Sequence, residues 1–400
     1  MANQVNPPRG MRDILPAEKS FREQLLAIVR ATYISRGFQE IETPALEDLS
    51  KLTSGQGGDN EKLVFQVLKR GEELEQAQAA GASLADLGLR FDLTVPLTRY
   101  YASNHSKLPR VLKALQVGPV WRAERPQKGR YRQFLQCDID IIGDSTMLGE
   151  AELLSASLSA LEAVGLKDAT IRLNHRQLLA ENIAGLGVAS EDALKAMIII
   201  DKLDKIGVAG VRTELEQAFG HEVAAAGHSW LSSLDQTEFP EALKPLVEAL
   251  SDLGPRLRYD ASLVRGMGYY TGAIFEIEHP AATSSIGGGG RYDSMVGKWL
   301  GAEVPAVGIS LGIERIIELA KLPEIETQNT VLLIESEAQA VLALKLQAEL
   351  IESGSSCRIE IRQKNIKAQL SNLATQGFDS FASVGDGIKS VSELDIRKLD

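Results

Sequence analysis

The 400-residue sequence is poor in cysteine: Cys137 and Cys357 stand far apart and in no CxxC or Cys/His arrangement. That spacing supports neither a disulfide framework nor a zinc site, and both thiols are expected to be small buried apolar residues. No run of 18 apolar residues occurs, and the N-terminus MANQVNPPRGMRDILPAEKS lacks the apolar core of a signal peptide. Membrane insertion and secretion are therefore not expected, and a cytoplasmic location is. An excess of positive charge is lacking too, since 43 Lys and Arg against 54 Asp and Glu leave a net charge of -11. Such a chain repels polyanions on average, so any nucleotide or nucleic acid must be met by local basic patches. What is present, 44% hydrophobic and 24% charged residues, is ordinary for a globular protein long enough for more than one domain.

Apolar residues Phe21, Leu25, Ile28, Val29 and Tyr33 recur at helical spacing over 17–36 until Gly37, and FQEIETPALE reads as a strand broken by Pro44. LGLRFDLTVPLTRYYA adds a strand, then a helix opened near Pro96, and a hairpin covers 117–142. A helix over 147–165 and a strand at 171–174 follow. Residues 176–250 carry helical spacing punctuated by Gly207 and Gly210, which marks 176–256 as an inserted helical module. Strand character returns in LVRGMGYYTGAIFEIEH (263–279), before a glycine-rich turn SIGGGGRYD and a strand-to-helix stretch at 306–320 with Ile313, Ile316, Ile317 and Ala320 on one face. Beyond a boundary near 323–329, strands at 330–334 and 356–361 alternate with helices at 338–352 and 366–377, the order of a small α/β domain with a parallel sheet.

Four clusters bear charge or glycine in unusual density. Between Trp121 and Arg132 the basic residues Arg122, Arg125, Lys128, Arg130 and Arg132 face one acid, Glu124. Strand alternation puts Arg122 and Glu124 on one face, and Phe134, Gln136, Asp138 and Asp140 on one face of the return strand, with Val120, Ile139, Ile141 and Ile142 assigned to the opposite, buried side. Polar groups so spaced are either the wet side of a sheet or the floor of a site for a ligand with phosphates, an ammonium and ring nitrogens. In RGMGYYTG, Arg265 precedes Tyr269 and Tyr270, which strand alternation would send to opposite faces. The four glycines of IGGGGRYD permit close backbone approach to a ligand, yet no GK[ST] follows. Arg315, in the first turn of a helix, opposes the helix dipole and calls for an anionic partner, a carboxylate or a phosphate.

Taken in order, FQEIETPALE, LRFDLTVPLTRY, VWRAERPQKGRYRQFLQCDIDIIG, LVRGMGYYTGAIFEI, GGGGRYD and GISLGIERI, preceded by RGMRDILP, resemble the class II aminoacyl-tRNA synthetases and, within them, the histidyl-tRNA synthetase family, over residues 9–323. Six ordered motifs are far more specific than any one alone. The resemblance implies an α+β class II catalytic domain, an antiparallel sheet flanked by helices, in residues 1–175 and 257–323, with a helical insertion at 176–256 and a C-terminal α/β anticodon-binding-like domain at 329–400. It implies ATP-dependent activation of histidine to histidyl-adenylate and transfer to the 3' end of tRNA(His). ATP and Mg²⁺ are the implied cofactors, with no metal ligand assigned among the side chains, and Pro44 matches a first motif that helps form a homodimer interface. For ATP, the resemblance implies Arg122 at the α-phosphate, Glu124 at the adenine amino group, Phe134 stacked on adenine, Arg130 in the same site and Arg315 at the γ-phosphate. For histidine it implies Asp92, Thr94 and Gln136 at the α-ammonium, Asp140 and Tyr270 at the imidazole, and Tyr269 in the same pocket. Arg265 and Arg122 are the implied catalytic residues, with Arg265 against the reacting α-phosphate.

Two departures stand out. Gly268 occupies a position where many members carry an acid, and after GDGIKSVSELDIRKLD the family usually continues through a further helix, so a short C-terminal domain is expected. Within 326–400 there are 8 basic and 11 acidic residues, although 358–370 holds four basic and one acid, the edge on which anticodon binding would rely. The main alternative is the family's regulatory paralogue, a non-catalytic subunit of ATP phosphoribosyltransferase. A tRNA-binding sensor without catalysis is the third reading. Arg265 and the domain from 329 onward favour the enzyme.

Overall fold

Apolar stretches of strand length assemble one large sheet in the computed structural model, which describes residues 5–53, 63–126, 130–234, 238–265, 268–323, 329–385 and 387–399. Lys128 of the basic hairpin, Gly266 and Met267 of RGMGYYTG and positions 324–328 of the expected boundary lie outside the described residues. The sheet is built from Gln39–Glu40 (β1), Leu112–Trp121 (β2), Gln133–Ile142 (β3), Thr170–His175 (β4), Leu257–Tyr259 (β5), Ala273–Glu278 (β6), Gly287–Arg291 (β7) and Ala306–Gly312 (β8). Their order is β1-β2-β3-β8-β7-β6-β4-β5. The pairs from β2 through β4 are antiparallel, and only the edge pairs β1 with β2 and β4 with β5 are parallel.

Register explains why a cavity opens where it does. Asp140, Asp138 and Gln136 of β3 face Ala114, Gln116 and Gly118 of β2 on one side, and Gly308, Ser310 and Gly312 of β8 on the other. Gly308 and Ser310 in turn face Gly290 and Gly288 of β7. Direct cross-strand partners share a face, so one face carries carboxylates and amides on β3 ringed by small residues on its neighbours. The opposite face is apolar, with Ile141 and Val307 against the helix Leu148–Ala163 at Gly149.

The same register corrects the facing of two residues. Val120 pairs with Phe134 and Leu112 with Ile142, so Val120 and Ile142 lie on the polar residues' own face, and only Ile139 and Ile141 lie opposite. Nor is the polar face wet: Gln136, Asp138 and Asp140 are at most 7% exposed. Helices Thr94–Asn104 and Asp293–Leu300 contribute Val95, Leu97, Met295 and Val296 to the core that closes this side. GGGGR, expected as a turn, is the interior strand β7, because only glycine fits there: a Cβ on Gly289 would lie 1.9 Å from the Gly308 carbonyl oxygen, and one on Gly290 2.7 Å from that of Ala273. Strand β6 begins only at Ala273, so the described residues 263–265 and 268–272 lie outside any strand. Cys137 is buried, whereas Cys357 is half-exposed, and both thiols are free.

Between β4 and β5 the chain forms helices Arg176–Gly185, Ala193–Ile200, Leu203–Phe219 and His221–Ser232 around a core that includes Leu179, Ile200, Val211 and Leu215. Gly207 kinks the third of these helices at φ 66°. The chain divides into two compact units, one of residues up to 13 together with 25–321, the other of 14–24 and 322 onward. Within the second, Asn329–Ile334 (β9), Ser356–Ile361 (β10), Ser380–Ser383 (β11) and Arg397–Lys398 (β12) are ordered β10-β9-β11-β12, with β9 parallel to both neighbours. Helix Ala340–Glu352 packs Leu346 and Leu350 on one face of this sheet with Leu332 and Ile334, and helix Ile366–Thr375 packs Leu373 on the other with Val331 and Leu333. Among the described residues, no helix is long and apolar enough to cross a membrane.

Candidate active site

A cavity of about 270 Å³ opens over the polar face of β3, β8 and β7, and it brings together Asp92, Thr94, Arg122, Glu124, Arg130, Phe134, Gln136, Asp140, Arg265, Tyr269, Tyr270 and Arg315. These residues come from the approach to helix Thr94–Asn104, the hairpin β2–β3, the irregular segment before β6 and the helix Ile313–Ile317 that leaves β8. Their sequence separation exceeds 200 residues, and the sheet order alone makes them neighbours.

Four arginines line the cavity. Arg122 donates from Nε to the Phe91 carbonyl at 3.0 Å and lies over the Phe134 ring, 5.1 Å from its centroid. Arg315 donates to the Ser285 carbonyl. Burial, with Arg130, Arg122 and Arg265 close by, lowers the Arg315 pKa although Glu276 opposes this. Four guanidinium groups held so near one another favour an anion of high charge density between them. Arg265 donates from Nη1 to Glu276 Oε2 at 2.6 Å, while its Nε is buried with no acceptor. Burial alone would lower its pKa, but Tyr270 and Glu276 outweigh it and the net shift is upward. Glu124 sits 3.5 Å from Arg130, and the hairpin tip is held by Arg132, whose Nε reaches the Glu124 carbonyl at 2.8 Å.

The cavity also holds buried acidic and amide side chains. Asp92 Oδ1 accepts from the Val95 backbone N–H at 3.1 Å, its Oδ2 has no partner, and burial pushes its pKa up to about 6 against the pull of Val95 and Arg122. Asp140 accepts from the Tyr292 hydroxyl at 2.6 Å on Oδ1, and burial pushes its pKa up to about 7. Asp138 is raised well above the usual carboxylate range by burial and by Asp140. Gln136 donates to Ser310 Oγ at 2.6 Å and leaves its amide oxygen unpaired. Buried acceptors without partners carry a desolvation cost, which a ligand with several N–H donors would relieve.

Tyr269 and Tyr270 correct the expectation of opposite faces. Both line the cavity, with ring centroids 4.8 Å apart, because the segment is not a strand and alternation does not apply to it. Burial raises the Tyr269 pKa well above its usual value, and the neighbouring Thr94 side chain works against that rise. Several contributors escaped the sequence: Tyr292 through its bond to Asp140, Ser310 through Gln136, Glu276 through Arg265, and Glu314, which accepts from the Leu135 N–H at 3.0 Å. Glu276 had a local signal, being the single acid inside the apolar run AIFEI. Asp138 lies on the face of Gln136 and Asp140 that strand alternation assigns to it, and the motifs imply no role for it. Gly308 had none, although a Cβ there would lie 1.8 Å from Asp140 Oδ1.

A large sheet, antiparallel through its middle and flanked by helices, with arginines and buried carboxylates in one cavity on its face, defines a class II aminoacyl-tRNA synthetase fold. The histidyl-tRNA synthetase family profile matches residues 10–316. A histidine–tRNA ligase of Leifsonia xyli subsp. xyli is 47% identical, with 100% of this chain and 99% of that protein covered. The solved histidyl-tRNA synthetase of Nostoc sp. PCC 7120 superposes with a TM-score of 0.76 at 27% identity, covering 99% of this chain and 95% of that one. A Bacillus halodurans structure described as an ATP phosphoribosyltransferase regulatory subunit/histidyl-tRNA synthetase has a TM-score of 0.75 at 20% identity, over 96% of this chain and 98% of that one, and shares the fold. The chain belongs to the histidyl-tRNA synthetase family.

Proposed function

We propose that this chain activates histidine with ATP to histidyl-adenylate and transfers the histidyl group to the 3' end of tRNA(His). The observation that carries the reading is the pairing of opposite charges inside one cavity: four arginines line it, and so do buried Asp92, Asp140 and Gln136 with unpaired oxygens. In the first step a histidine carboxylate oxygen attacks the α-phosphorus, the P–O bond to the β-phosphate breaks, and pyrophosphate leaves with its electron pair. Arg122 and Arg265 meet the charge that develops at the α-phosphate, and Arg315, with Arg130 beside it, holds the departing polyphosphate. Phe134, sandwiched with Arg122, stacks on the adenine, and Glu124 accepts from its amino group. In the second step a terminal hydroxyl of the tRNA attacks the activated carbonyl and AMP leaves.

Asp92, Thr94 and Gln136 receive the α-ammonium, while Asp140, Tyr270 and Tyr269 surround the imidazole. A pocket built to pair ring nitrogens rejects side chains lacking them, because its own buried groups would be stranded. Mg²⁺ is usually bound largely through substrate phosphates. Glu314, which lines the cavity next to Arg315, is the carboxylate that would share an ion bound to the ATP phosphates. There it would supply charge neutralisation at the phosphates.

The reading extends to the rest of the chain: catalytic domain in 1–175 and 257–323, helical insertion at 176–256, anticodon-binding-like domain at 329–400, a homodimer formed around Pro44, and a cytoplasmic location. The regulatory-subunit alternative is not favoured, given the 47% identity to a histidine–tRNA ligase over the whole chain. Histidine-dependent exchange of pyrophosphate into ATP tests the proposal. Exchange with histidine and not with other amino acids is expected, and its absence in the folded protein would refute the enzyme reading.

A further inference from the structure

The polar row that floors the cavity continues beyond it. Ser310, Gly288, Glu276 and Arg172 are successive register partners across β8, β7, β6 and β4, and so share one face. Arg265 lies over Gly288, where a Cβ would come within 2.7 Å of its Nη1, and that same Nη1 bonds Glu276 Oε2 at 2.6 Å. The other oxygen of Glu276 stands 3.6 Å from Arg172 Nη1. Buried Arg172 is held from elsewhere as well: its Nε donates to Asp260 Oδ2 at 2.7 Å, and Nη1 donates to Glu278 Oε1 at 2.9 Å and to Asp204 Oδ2 at 3.1 Å. Asp204 belongs to the first turn of helix Leu203–Phe219, inside the helical segment between β4 and β5, and its side chain is 71% exposed. A second attachment runs through the backbone, since Val264, the residue before Arg265, is buried in the core of that helical segment.

We infer that Arg172 and Asp204 are positioning residues that transmit the placement of the helical segment to the guanidinium fork of Arg265 by way of Glu276. The inference rests on the reading of Arg265 as the group that meets the α-phosphate. Its physical basis is competition for one Nη1. While Asp204 and Glu278 engage Arg172, Glu276 stays at the longer distance and keeps its near oxygen for Arg265. When Asp204 is withdrawn, Nη1 swings toward Glu276, a second cation competes for the carboxylate, and the Arg265 fork loses its fixed orientation. Any ligand that shifts the helical segment therefore changes the rate of adenylation without touching the reacting atoms.

The test is histidine-dependent pyrophosphate exchange by the full chain carrying Asp204→Asn or Asp204→Glu, each alone and combined with Arg265→Ala. Asp204→Asn is expected to lower kcat about 2- to 30-fold, the span of couplings carried through such networks. KM for histidine and for ATP should stay within about twofold, as for an interaction felt only in the transition state. Asp204→Glu should restore most of the loss, and Asp204→Asn should have no further effect once Arg265 is Ala. An unchanged kcat in Asp204→Asn overturns the inference. So does the same fractional loss in both backgrounds, since Asp204 would then serve the fold and not Arg265. If Arg265→Ala by itself exchanges at the wild-type rate, the α-phosphate role of Arg265 fails, a result distinguishable from either.

Discussion

Asp140→Ala probes the imidazole end of the cavity most directly. The carboxylate is 2% exposed, one oxygen is committed to Tyr292 at 2.6 Å, and the other is buried with no partner, so a ring N–H has one acceptor to find. A hydrogen bond to a charged group is worth about 1.5–3 kcal/mol, or roughly 10- to 150-fold in Kd. Isothermal titration of histidine into wild type and variant at pH 8, where Asp140 is mostly ionised, should show that loss. The same substitution carries a stability signature of opposite sense. The folded-state pKa of about 7 lies above the ordinary 3.8, so the folded protein binds the proton more tightly than the unfolded chain. Its contribution to stability is thus fully present below about pH 4 and is lost as pH rises through 7, by roughly 4 kcal/mol as an upper bound. The ligand-free variant should lose less stability than wild type between pH 5 and 8 in urea unfolding. Unaltered histidine affinity in a folded Asp140→Ala protein would refute the assignment, and a pH profile parallel to wild type would refute the buried, proton-holding carboxylate.

Arg265→Ala should slow adenylation by about 10²- to 10³-fold with little change in histidine binding, by analogy with removing one donor that stabilises transition-state charge, and stopped-flow rates would show it. Lysine there should rescue only in part, because an ammonium lacks the planar fork. Gly308→Ala places a methyl 1.8 Å from Asp140 Oδ1, so the carboxylate must move; a rise of about tenfold or more in KM for histidine and a loss of about 1–3 kcal/mol of stability are expected from kinetics and urea titration. Light scattering at micromolar concentration should report a dimeric mass, and a monomer would count against an interface around Pro44.

The helix at 16–35, the strands on either side of Pro44, the hairpin, the strand-to-helix passage at 306–317 and the alternating order from 329 onward could all be inferred from periodicity, because each is set by local spacing of apolar residues. The ordered motifs likewise sufficed to gather the candidate site residues before any fold was known. Periodicity misled where burial on both faces removed the contrast it depends on. Asp138 and Asp140 looked like the wet side of a sheet, and Val120 and Ile142 were assigned to the wrong face, since both sides of β3 are covered and only register with β2 tells them apart. The run of glycines resembled a turn because a lone sequence cannot show which backbone lies 1.9 Å from an absent Cβ. Tyr269 and Tyr270 were separated by an alternation that holds only in extended chain. Tertiary structure alone decided that Tyr292 and Gly308 shape Asp140, and that Glu276 and Arg172 stand behind Arg265. Apart from the Arg265–Glu276 bond, which spans 11 residues, those partnerships join residues more than 100 positions apart through the closing of the sheet, and no local pattern encodes a register that the whole sheet must close to define.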